Sequence, residues 1–462
     1  MGGEISMEEE EIQVFDAKEF EKQWQKNGMG NESMWSFFSS SYQQIVDTIL
    51  RPMAEQGRPG RLLYNPLHDL GPVEIDVWPN VEGSTSAATS LKAIRQDHTM
   101  TCYGGKKIVF SIWRLQDENG DSTKPRPFVL YLHSAVGSRP EALHALHTSL
   151  RAGANFAALD FQGSGLSEGD IVTWGYYENN DVVDVVRYLL KLGTTTRIAL
   201  WGRQLGAATA MSYASRDPRV ACLVLDTPYS SLDDQMDMVV KAAQKEGMSV
   251  PSIVLKAAKT MLQRSVRKKI AHKFDPNKLS PKYFAPKCKC NALIGSDSTD
   301  GIVPPDMVEK VYKKFKKKRV QKISFRCSGS GHFGMRPESW FLTVHSFLLE
   351  HLYNKTKRNS ASQPPPAVPA NIVAAAKWPP DWVVKLNEKL ESNRSKAKLD
   401  AEVAALAKKK SEESNESGGE TKSGGSAPSA PSIDATEDML AVVQEDESFS
   451  QALLDFEETA KH

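Results

Sequence analysis

The segment GRQLG at residues 202–206 has the spacing of a turn that presents a catalytic nucleophile. It follows the apolar stretch RIALWG (197–202) and precedes a run of small residues, so a strand should turn sharply into a helix there. Such a turn follows the pattern Gly-x-Ser-x-Gly, because small flanking residues allow a strained turn to hold the nucleophile above a sheet. Both glycines are present, and Gln204 occupies the position of the nucleophile.

The side chain of Gln204 limits the chemistry that this turn can support. Acyl transfer needs a hydroxyl or thiol that a histidine can deprotonate, with a carboxylate orienting that histidine. A carboxamide cannot be activated in this way, because its nitrogen lone pair is delocalised, and its greater length would fill the space of the scissile carbonyl. Loss of the serine from a triad enzyme lowers turnover on the order of a million-fold. About a thousand-fold acceleration over water can remain from binding and from the oxyanion hole.

The elements around this turn alternate between strands and helices. A hairpin signal, Gly104-Gly105, separates two strand-like segments. Six further segments favour strands, at 127–133, 155–161, 197–202, 219–226, 291–296 and 322–327. Four segments favour helices, at 141–153, 181–193, 206–215 and 337–353. This order predicts a parallel sheet that helices cover on both faces.

Four further motifs accompany the GRQLG turn. They are DFQGSGLSEG (160–169), DTPYSSL (226–232), DGIVPP (300–305) and SGSGHFG (328–334). With these motifs, residues 127–345 resemble the α/β-hydrolase superfamily, in its serine-aminopeptidase-like, prolyl-oligopeptidase-related branch. Proteins of that branch usually write the turn as Gly-Arg-Ser-Met-Gly-Ala, with serine at the position of Gln204. The resemblance implies an α/β fold with a mostly parallel central sheet, helices on both faces and a small helical insert.

The resemblance also implies the members of a catalytic triad. Gln204 stands at the position of the nucleophile, Asp300 at that of the acid and His332 at that of the base. Their order along the chain fits the order that this fold uses. Without a nucleophile, Asp300 and His332 could instead serve to hold two loops together through a hydrogen bond.

An oxyanion hole of two backbone N–H groups follows from the same resemblance. One N–H group belongs to Leu205, and the other lies near Ser134 and Ala135, in the loop after the strand at 127–133. The family usually has His-Gly in this loop, where this chain has His133-Ser134. The backbone donors survive this change, but the bulkier residue could narrow the pocket.

Three residues compete with these assignments. The segment GLSEG (165–169) matches Gly-x-Ser-x-Gly as a string, but no helix rich in small residues follows it, so Ser167 is a weak candidate nucleophile. Asp297 lies three residues before Asp300 but outside the D-x-I-x-P pattern. Asp226 stands where some members of the fold carry their acid, and we interpret it as a helix or turn cap.

No metal or cofactor is expected. Cys288 and Cys290 are separated by one residue, whereas zinc-binding pairs usually have two to four between them. We interpret them as reduced, partly exposed thiols. His144 and His147 lie three residues apart on a predicted helix, without a cysteine or a third histidine nearby in sequence, and are interpreted as surface histidines.

The overall composition excludes several classes of protein. The 462 residues include 58 Lys and Arg and 57 Asp and Glu, and this balance excludes a uniformly basic nucleic-acid binder and a uniformly acidic chain. The odd number of cysteines, five, argues against a disulfide framework and indicates a reducing compartment, the cytoplasm. No apolar run approaches the roughly 20 residues of a membrane-spanning helix. The acidic first residues do not match a secretory or transit signal.

Changes in composition divide the chain into five segments. They are a polar N-terminal segment (1–43), an α/β-hydrolase domain (44–354), a Pro-rich linker (355–372), a helix (373–410) and a disordered acidic tail (411–462). In this division Trp378 and Trp382 lie outside the domain. Because paired tryptophans are unfavourable in water, we expect them to pack onto the domain or onto a partner.

Two basic runs lie in the second half of the predicted domain, RSVRKKIAHK (264–273) and KKFKKKRVQK (313–322). The simplest interpretation of both is a solvated surface. The alternatives are peripheral contact with an anionic membrane, a nuclear-import signal or a binding surface for the acidic tail. We expect a protein partner for the tail and no nucleic-acid partner.

Two functions of different class are consistent with the sequence. The first is a catalytically impaired α/β-hydrolase homologue that acts by binding or as a scaffold, and Gln204 is the observation behind it. The second is a working serine hydrolase of small esters, thioesters or peptides with a displaced nucleophile, suggested by the retention of Asp300 and His332. In that case Ser134 and Ser230 are the serines to test after Ser167.

Overall fold

In a computed structural model of this protein, the described residues form one nine-stranded sheet. Its strands are β1 (Glu74–Asp76), β2 (Lys92–Thr101), β3 (Lys107–Gln116), β4 (Arg126–Leu132), β5 (Asn155–Leu159), β6 (Thr195–Arg203), β7 (Val220–Asp226), β8 (Asn291–Asp297) and β9 (Val320–Phe325). Their order across the sheet is β1-β2-β3-β5-β4-β6-β7-β8-β9. The strands from β5 to β9 pair in parallel, and β1, β2 and β3 add antiparallel pairs at one side.

The structure describes residues 64–79, 91–117, 119–235, 237–238, 279–328, 332, 334–353, 364–365, 367–389 and 392. These residues all belong to one of the two compact units of the chain, Ser39–Glu402. The predicted polar N-terminal segment, most of the helical insert, the basic run at 264–273 and the acidic tail lie outside the described residues. Among the described residues, no helix combines the length and the apolar character needed to cross a membrane.

Helices cover both faces of the sheet. They are α1 (Pro66–Asp69), α2 (Leu143–Arg151), α3 (Glu178–Lys191), α4 (Leu205–Ala214), α5 (Pro281–Phe284), α6 (Pro305–Tyr312), α7 (Glu338–Leu352) and α8 (Ala370–Ala375), with further helical residues at 381–389. Side chains of α3, α4 and α6 pack on one face, and those of α2, α7 and α8 pack on the other. The predicted α/β architecture, a mostly parallel sheet between two helical layers, is confirmed.

The position of β4 between the two helical layers explains why its sequence is apolar throughout. Phe128 and Leu130 point into the core beneath α3 and α4, whereas Val129 and Tyr131 point into the core beneath α2 and α7. Successive side chains of a strand face opposite sides of the sheet, so a strand covered on both sides needs an uninterrupted apolar run. The hairpin predicted at Gly104-Gly105 joins β2 to β3, and both glycines have positive φ.

The segment that follows α7 packs back onto the domain. The Arg151 guanidinium contacts two indole rings that also touch each other, and it lies 5.1 Å from the ring centre of Trp78 and 4.4 Å from that of Trp378. Trp382 lies against the imidazole of His147, with ring centres 5.6 Å apart. The expectation that Trp378 and Trp382 pack onto the domain is confirmed, and both rings cover the outer side of α2.

The interpretation of His144 and His147 as surface residues is wrong, because His144 packs against Trp201 and Phe341 of the core and His147 lies under Trp382. His144 is 8% exposed and His147 is 3% exposed. Val383 and Leu386 of the covering segment line a small cavity against His144. Burial lowers the pKa of His144 to about 4 and that of His147 to about 3. The sequence of α2 alone contains no sign of a cover that comes from more than 200 residues away.

These two histidines should make stability depend on pH. Both are neutral in the folded chain, while in the unfolded chain each binds a proton near pH 6.5. The free energy of unfolding should therefore be highest above pH 6.5 and decrease by roughly 2 to 4 kcal/mol between pH 7 and pH 5, as measured by urea unfolding. His147→Gln should make this decrease smaller, whereas the exposed His68, changed to Gln, should leave it unaltered. An identical profile for both variants would contradict the assignment.

Candidate active site

The turn between β6 and α4 has the strained conformation that its sequence predicts. Gln204 has φ 48° and ψ −105°, a backbone conformation that residues other than glycine rarely adopt. A Cβ atom on Gly206 would overlap the carbonyl oxygen of Leu132 at the end of β4, and one on Gly202 would overlap the backbone of Gly206. Helix α4 can begin this close to β4 only because both positions are glycine.

The carboxamide of Gln204 turns towards the loop that follows β4. The backbone N–H of Ala135 donates a hydrogen bond to Oε1 of Gln204, with 3.0 Å between nitrogen and oxygen. The side chain is 5% exposed, so this bond is shielded from water. Leu205 is the first residue of α4, where N–H groups have no partner within the helix. Gln204 therefore places a carbonyl-type oxygen in front of a backbone donor at the position of the nucleophile.

Ser134 has a different orientation, set by a buried carboxylate. Its N–H donates to Oε1 of Glu141 at 2.9 Å, and its hydroxyl donates to Oε2 of Glu141 at 2.5 Å. Burial alone would raise the pKa of Glu141, but the positive charge of Arg203, the nearby His133 and the hydrogen bond from Ser134 outweigh it and lower the pKa to about 2. The loop thus directs the N–H of Ser134 to Glu141 and that of Ala135 to Gln204.

The structure brings Asp300 and His332 together. Nδ1 of His332 lies 2.6 Å from Oδ2 of Asp300, and both side chains are buried. The other oxygen of Asp300 accepts the N–H groups of Ile302 and Val303, each at 2.8 Å. Burial opposes ionisation of Asp300, but these hydrogen bonds and His332 hold its pKa below its usual range. The carboxylate therefore orients the ring and fixes a proton on Nδ1.

The protonation state of His332 suits a base rather than an acid. Burial lowers the pKa of His332 below its ordinary value, although the bond to Asp300 opposes the shift. The charges of Arg203 and Arg336 act in the same direction as burial. At pH 7 the imidazole is therefore neutral, as a general base must be before it takes a proton.

A buried ion pair supports the loop that carries His332. Arg336 donates to the carbonyl oxygens of His332 at 3.1 Å and of Gly334 at 2.9 Å. It also binds Asp226 at the end of β7, with Nε and Nη2 2.8 and 3.0 Å from the two carboxylate oxygens. The interpretation of Asp226 as a cap is wrong, because its carboxylate is the counter-ion of Arg336. Arg336 belongs to none of the motifs, so the sequence alone does not identify it. A buried acid at a strand end nevertheless requires a partner of this kind.

The remaining candidates lie outside this arrangement. Asp297 accepts the N–H and hydroxyl of Thr299 at 3.0 and 2.9 Å and so shapes the turn after β8. The two thiols also differ from their interpretation, because Cys288 is buried and only Cys290 is half-buried. In the part of the chain that the structure describes, no three histidine, cysteine or acidic side chains are grouped as a metal site requires.

Two matches with known proteins cover the central part of this chain. The family model for serine aminopeptidase, S33, matches residues 123–285, which include the turn at Gln204. The uncharacterized protein YqkD of Bacillus subtilis (strain 168) is 25% identical over 228 residues, 48% of this chain and 70% of that protein. The family match includes the motifs at 160–169 and 226–232, and it ends before those at 300–305 and 328–334.

Two solved structures are also similar to this chain. The esterase Pf2001 of Pyrococcus furiosus is 21% identical and covers 59% of this chain and 99% of its own, with a TM-score of 0.43. A puromycin-hydrolysing peptidase of Mycobacterium tuberculosis is 16% identical and covers 59% of this chain and 40% of its own, with a TM-score of 0.42.

The contact beneath the turn yields a stability prediction. Gly206→Ala should lower the free energy of unfolding by more than about 3 kcal/mol, because its methyl group would overlap backbone that cannot move aside. Gly301→Ala is the matched control, since nothing lies within 4 Å of the added Cβ, and it should change stability by less than about 0.5 kcal/mol. Urea unfolding at pH 7 measures both, and equal values for the two variants would refute the backbone contact.

The buried ion pair of Arg336 and Asp226 leads to a second stability prediction. Arg336→Met leaves the charge of Asp226 buried without a partner and should cost about 3 to 5 kcal/mol of stability. Arg219→Met breaks an exposed pair with Asp217 and should cost less than about 1 kcal/mol. Adding Asp226→Leu to Arg336→Met should recover much of the loss in thermal unfolding, because the uncompensated charge is then removed. Failure of the double variant to recover would argue against this explanation.

Proposed function

We propose that this chain, which has the α/β-hydrolase fold and matches the family model for serine aminopeptidase, S33, is a catalytically impaired member of that fold. Its site would bind a small ester or peptide without cleaving it, and the protein would act through binding or as a scaffold. In this proposal Asp300 and His332 keep the positions of the acid and the base. The hole donors would be the N–H groups of Leu205 and Ala135, since that of Ser134 is engaged by Glu141.

The observation that carries the proposal is the hydrogen bond from Ala135 to the carboxamide oxygen of Gln204. In an acyl transfer the hole stabilises the negative oxygen of the tetrahedral intermediate, which develops only after a nucleophile has attacked. Here a side chain of the protein itself engages that donor. Gln204 thus removes the nucleophile and occupies part of the hole with a single substitution.

An active serine hydrolase is the second candidate, and the 2.6 Å contact between Asp300 and His332 favours it. The three alternative serines have other hydrogen-bond partners, which argues against them. Ser134 donates to Glu141, and Ser230 donates to Asp234. Ser167 is fully buried, where it donates to the carbonyl of Asp160 at 2.7 Å and accepts a backbone N–H at 2.9 Å.

A fluorophosphonate probe distinguishes the two candidates, since it labels activated serines. The unaltered protein should not be labelled, whereas Gln204→Ser should be labelled at residue 204. The same variant should hydrolyse a short-chain nitrophenyl ester at least about a hundred-fold faster than the unaltered chain, because a complete triad contributes far more than that.

Gln204→Ala is the matched control, because it empties the hole without supplying a hydroxyl, and it should stay unlabelled. Labelling of the unaltered chain at a mapped serine would overturn the proposal in favour of the second candidate. If Gln204→Ser folds but is neither labelled nor active, Asp300 and His332 do not form a competent pair.

A further inference from the structure

Three loops at the amino ends of β7, β8 and β9 carry a concentration of positive charge. They span residues 215–219, 285–290 and 313–319, and we call them together the amino edge. They contain ten basic side chains and a single acid, Asp217. All ten are exposed: Arg216, Arg219, Lys287, Lys289, Lys313, Lys314, Lys316, Lys317, Lys318 and Arg319.

The sheet brings these loops side by side. Cys222 of β7 pairs with Asn291 of β8, and Ala292 of β8 pairs with Val320 of β9, so the three strands start at nearly the same level. The guanidinium of Arg319 donates to the backbone carbonyl of Lys289 and joins the second loop to the third. The charges therefore form one surface even though they come from three distant parts of the chain.

The backbone of the third loop, which carries six of the basic residues, is held in place at both ends. The side chain of Phe315 and that of Val320 are buried on either side of the turn. Between them the N–H of Arg319 donates to the carbonyl of Lys316, at 2.8 Å, within a short 3-10 turn. The cations are presented on ordered backbone, so less conformational entropy is lost when they bind a partner.

Acidic neighbours neutralise only a minor part of this charge. Asp217 forms an ion pair with Arg219. Glu309 of α6 forms an ion pair with Lys322 and a longer one, at 3.9 Å, with Lys313. Among the described residues, no carboxylate lies within ion-pair distance of Lys316, Lys317 or Lys318, nor of Lys287 or Lys289. These five lysines are available for an external anion.

The ends of helices explain only part of the surface. Basic residues are favourable near the carboxyl end of a helix, where the peptide dipoles leave partial negative charge. Lys313 and Lys314 follow α6 directly and fit that explanation. Lys316, Lys317 and Lys318 lie beyond the last turn of α6, and the effect decays within one turn, so a structural role does not account for them.

We propose that the amino edge binds the surface of an anionic membrane. A lipid surface is a broad, diffuse field of negative charge, which suits many separate ammonium groups spread over three loops. Tyr283, 48% exposed, lies with its ring 3.3 Å from Nζ of Lys287, and tyrosine is favoured at the level of lipid headgroups. A nucleic acid would fit less well, because the described residues of this edge present no helix that could enter a groove.

Membrane binding through this edge would use the end of the sheet opposite to the candidate active site. Gln204, Asp300 and His332 follow the carboxyl ends of β6, β8 and β9, whereas the basic loops precede the amino ends of the same sheet. The two surfaces therefore lie at opposite ends of the strands. This inference is independent of whether the candidate site catalyses a reaction.

Sedimentation of the full-length protein with lipid vesicles tests the inference. Vesicles of phosphatidylcholine with one quarter phosphatidylserine should bind the protein, and pure phosphatidylcholine vesicles should not. Binding should weaken strongly between 50 and 500 mM salt, since the interaction is screened. Lys317→Gln/Lys318→Gln should lower the affinity for these vesicles at least about ten-fold, because each lysine near such a surface contributes about five-fold to the affinity.

The matched control is Lys106→Gln/Lys107→Gln in the β2–β3 hairpin, which makes the same change in net charge on exposed lysines elsewhere. It should bind as the unaltered protein does, and both double variants should keep the unaltered melting temperature. Equal weakening by the two pairs, or no preference for phosphatidylserine, would overturn the proposal. Tighter binding to duplex DNA than to these vesicles at the same salt concentration would replace the membrane with a nucleic acid.

Discussion

The close approach of two backbones at Gly206 and Leu132 determines the geometry of this protein's site. Because nothing but hydrogen occupies the side-chain position at Gly206, α4 can start against the end of β4. That contact leaves a single residue, Gln204, to reverse the direction of the chain, and it does so with a positive φ. The same contact places Gln204 beside the loop after β4, so the hydrogen bond from Ala135 follows from the packing of α4. The strained turn persists although its side chain cannot act as a nucleophile.

Buried charges stabilise the loops around that turn without needing a nucleophile. Glu141 fixes the loop after β4, and the pair of Arg336 with Asp226 fixes the loop of His332. A buried charge that loses its partner is strongly destabilising, so these residues stabilise the fold whatever the site does. The contact between Asp300 and His332 also stabilises the fold without needing a nucleophile, because it joins two loops. An intact acid and base are therefore weaker support for catalysis than the residue at position 204 is against it.

Local patterns were sufficient to predict the sheet, the hairpin and the sharp turn, whereas the contact between Asp300 and His332 followed from the family resemblance. They failed where a property depends on distant segments. His147 is buried because Trp382 lies over α2, and no periodicity in α2 indicates that cover. The loop N–H that donates to Gln204 belongs to Ala135 rather than to Ser134, because the N–H of Ser134 donates to Glu141. The direction of one peptide group lies beyond what residue types alone can indicate.

The hydrogen bond of Gln204 also limits what could occupy the site. A ligand whose carbonyl oxygen approached Ala135 would have to displace a carboxamide that is already bonded and shielded from water. A buried donor without a partner costs about 1 to 3 kcal/mol, so Gln204 stabilises the empty site by satisfying that donor itself. A ligand oxygen can use the N–H of Ala135 only after that bond has broken, so the carboxamide of Gln204 opposes every ligand that needs this donor.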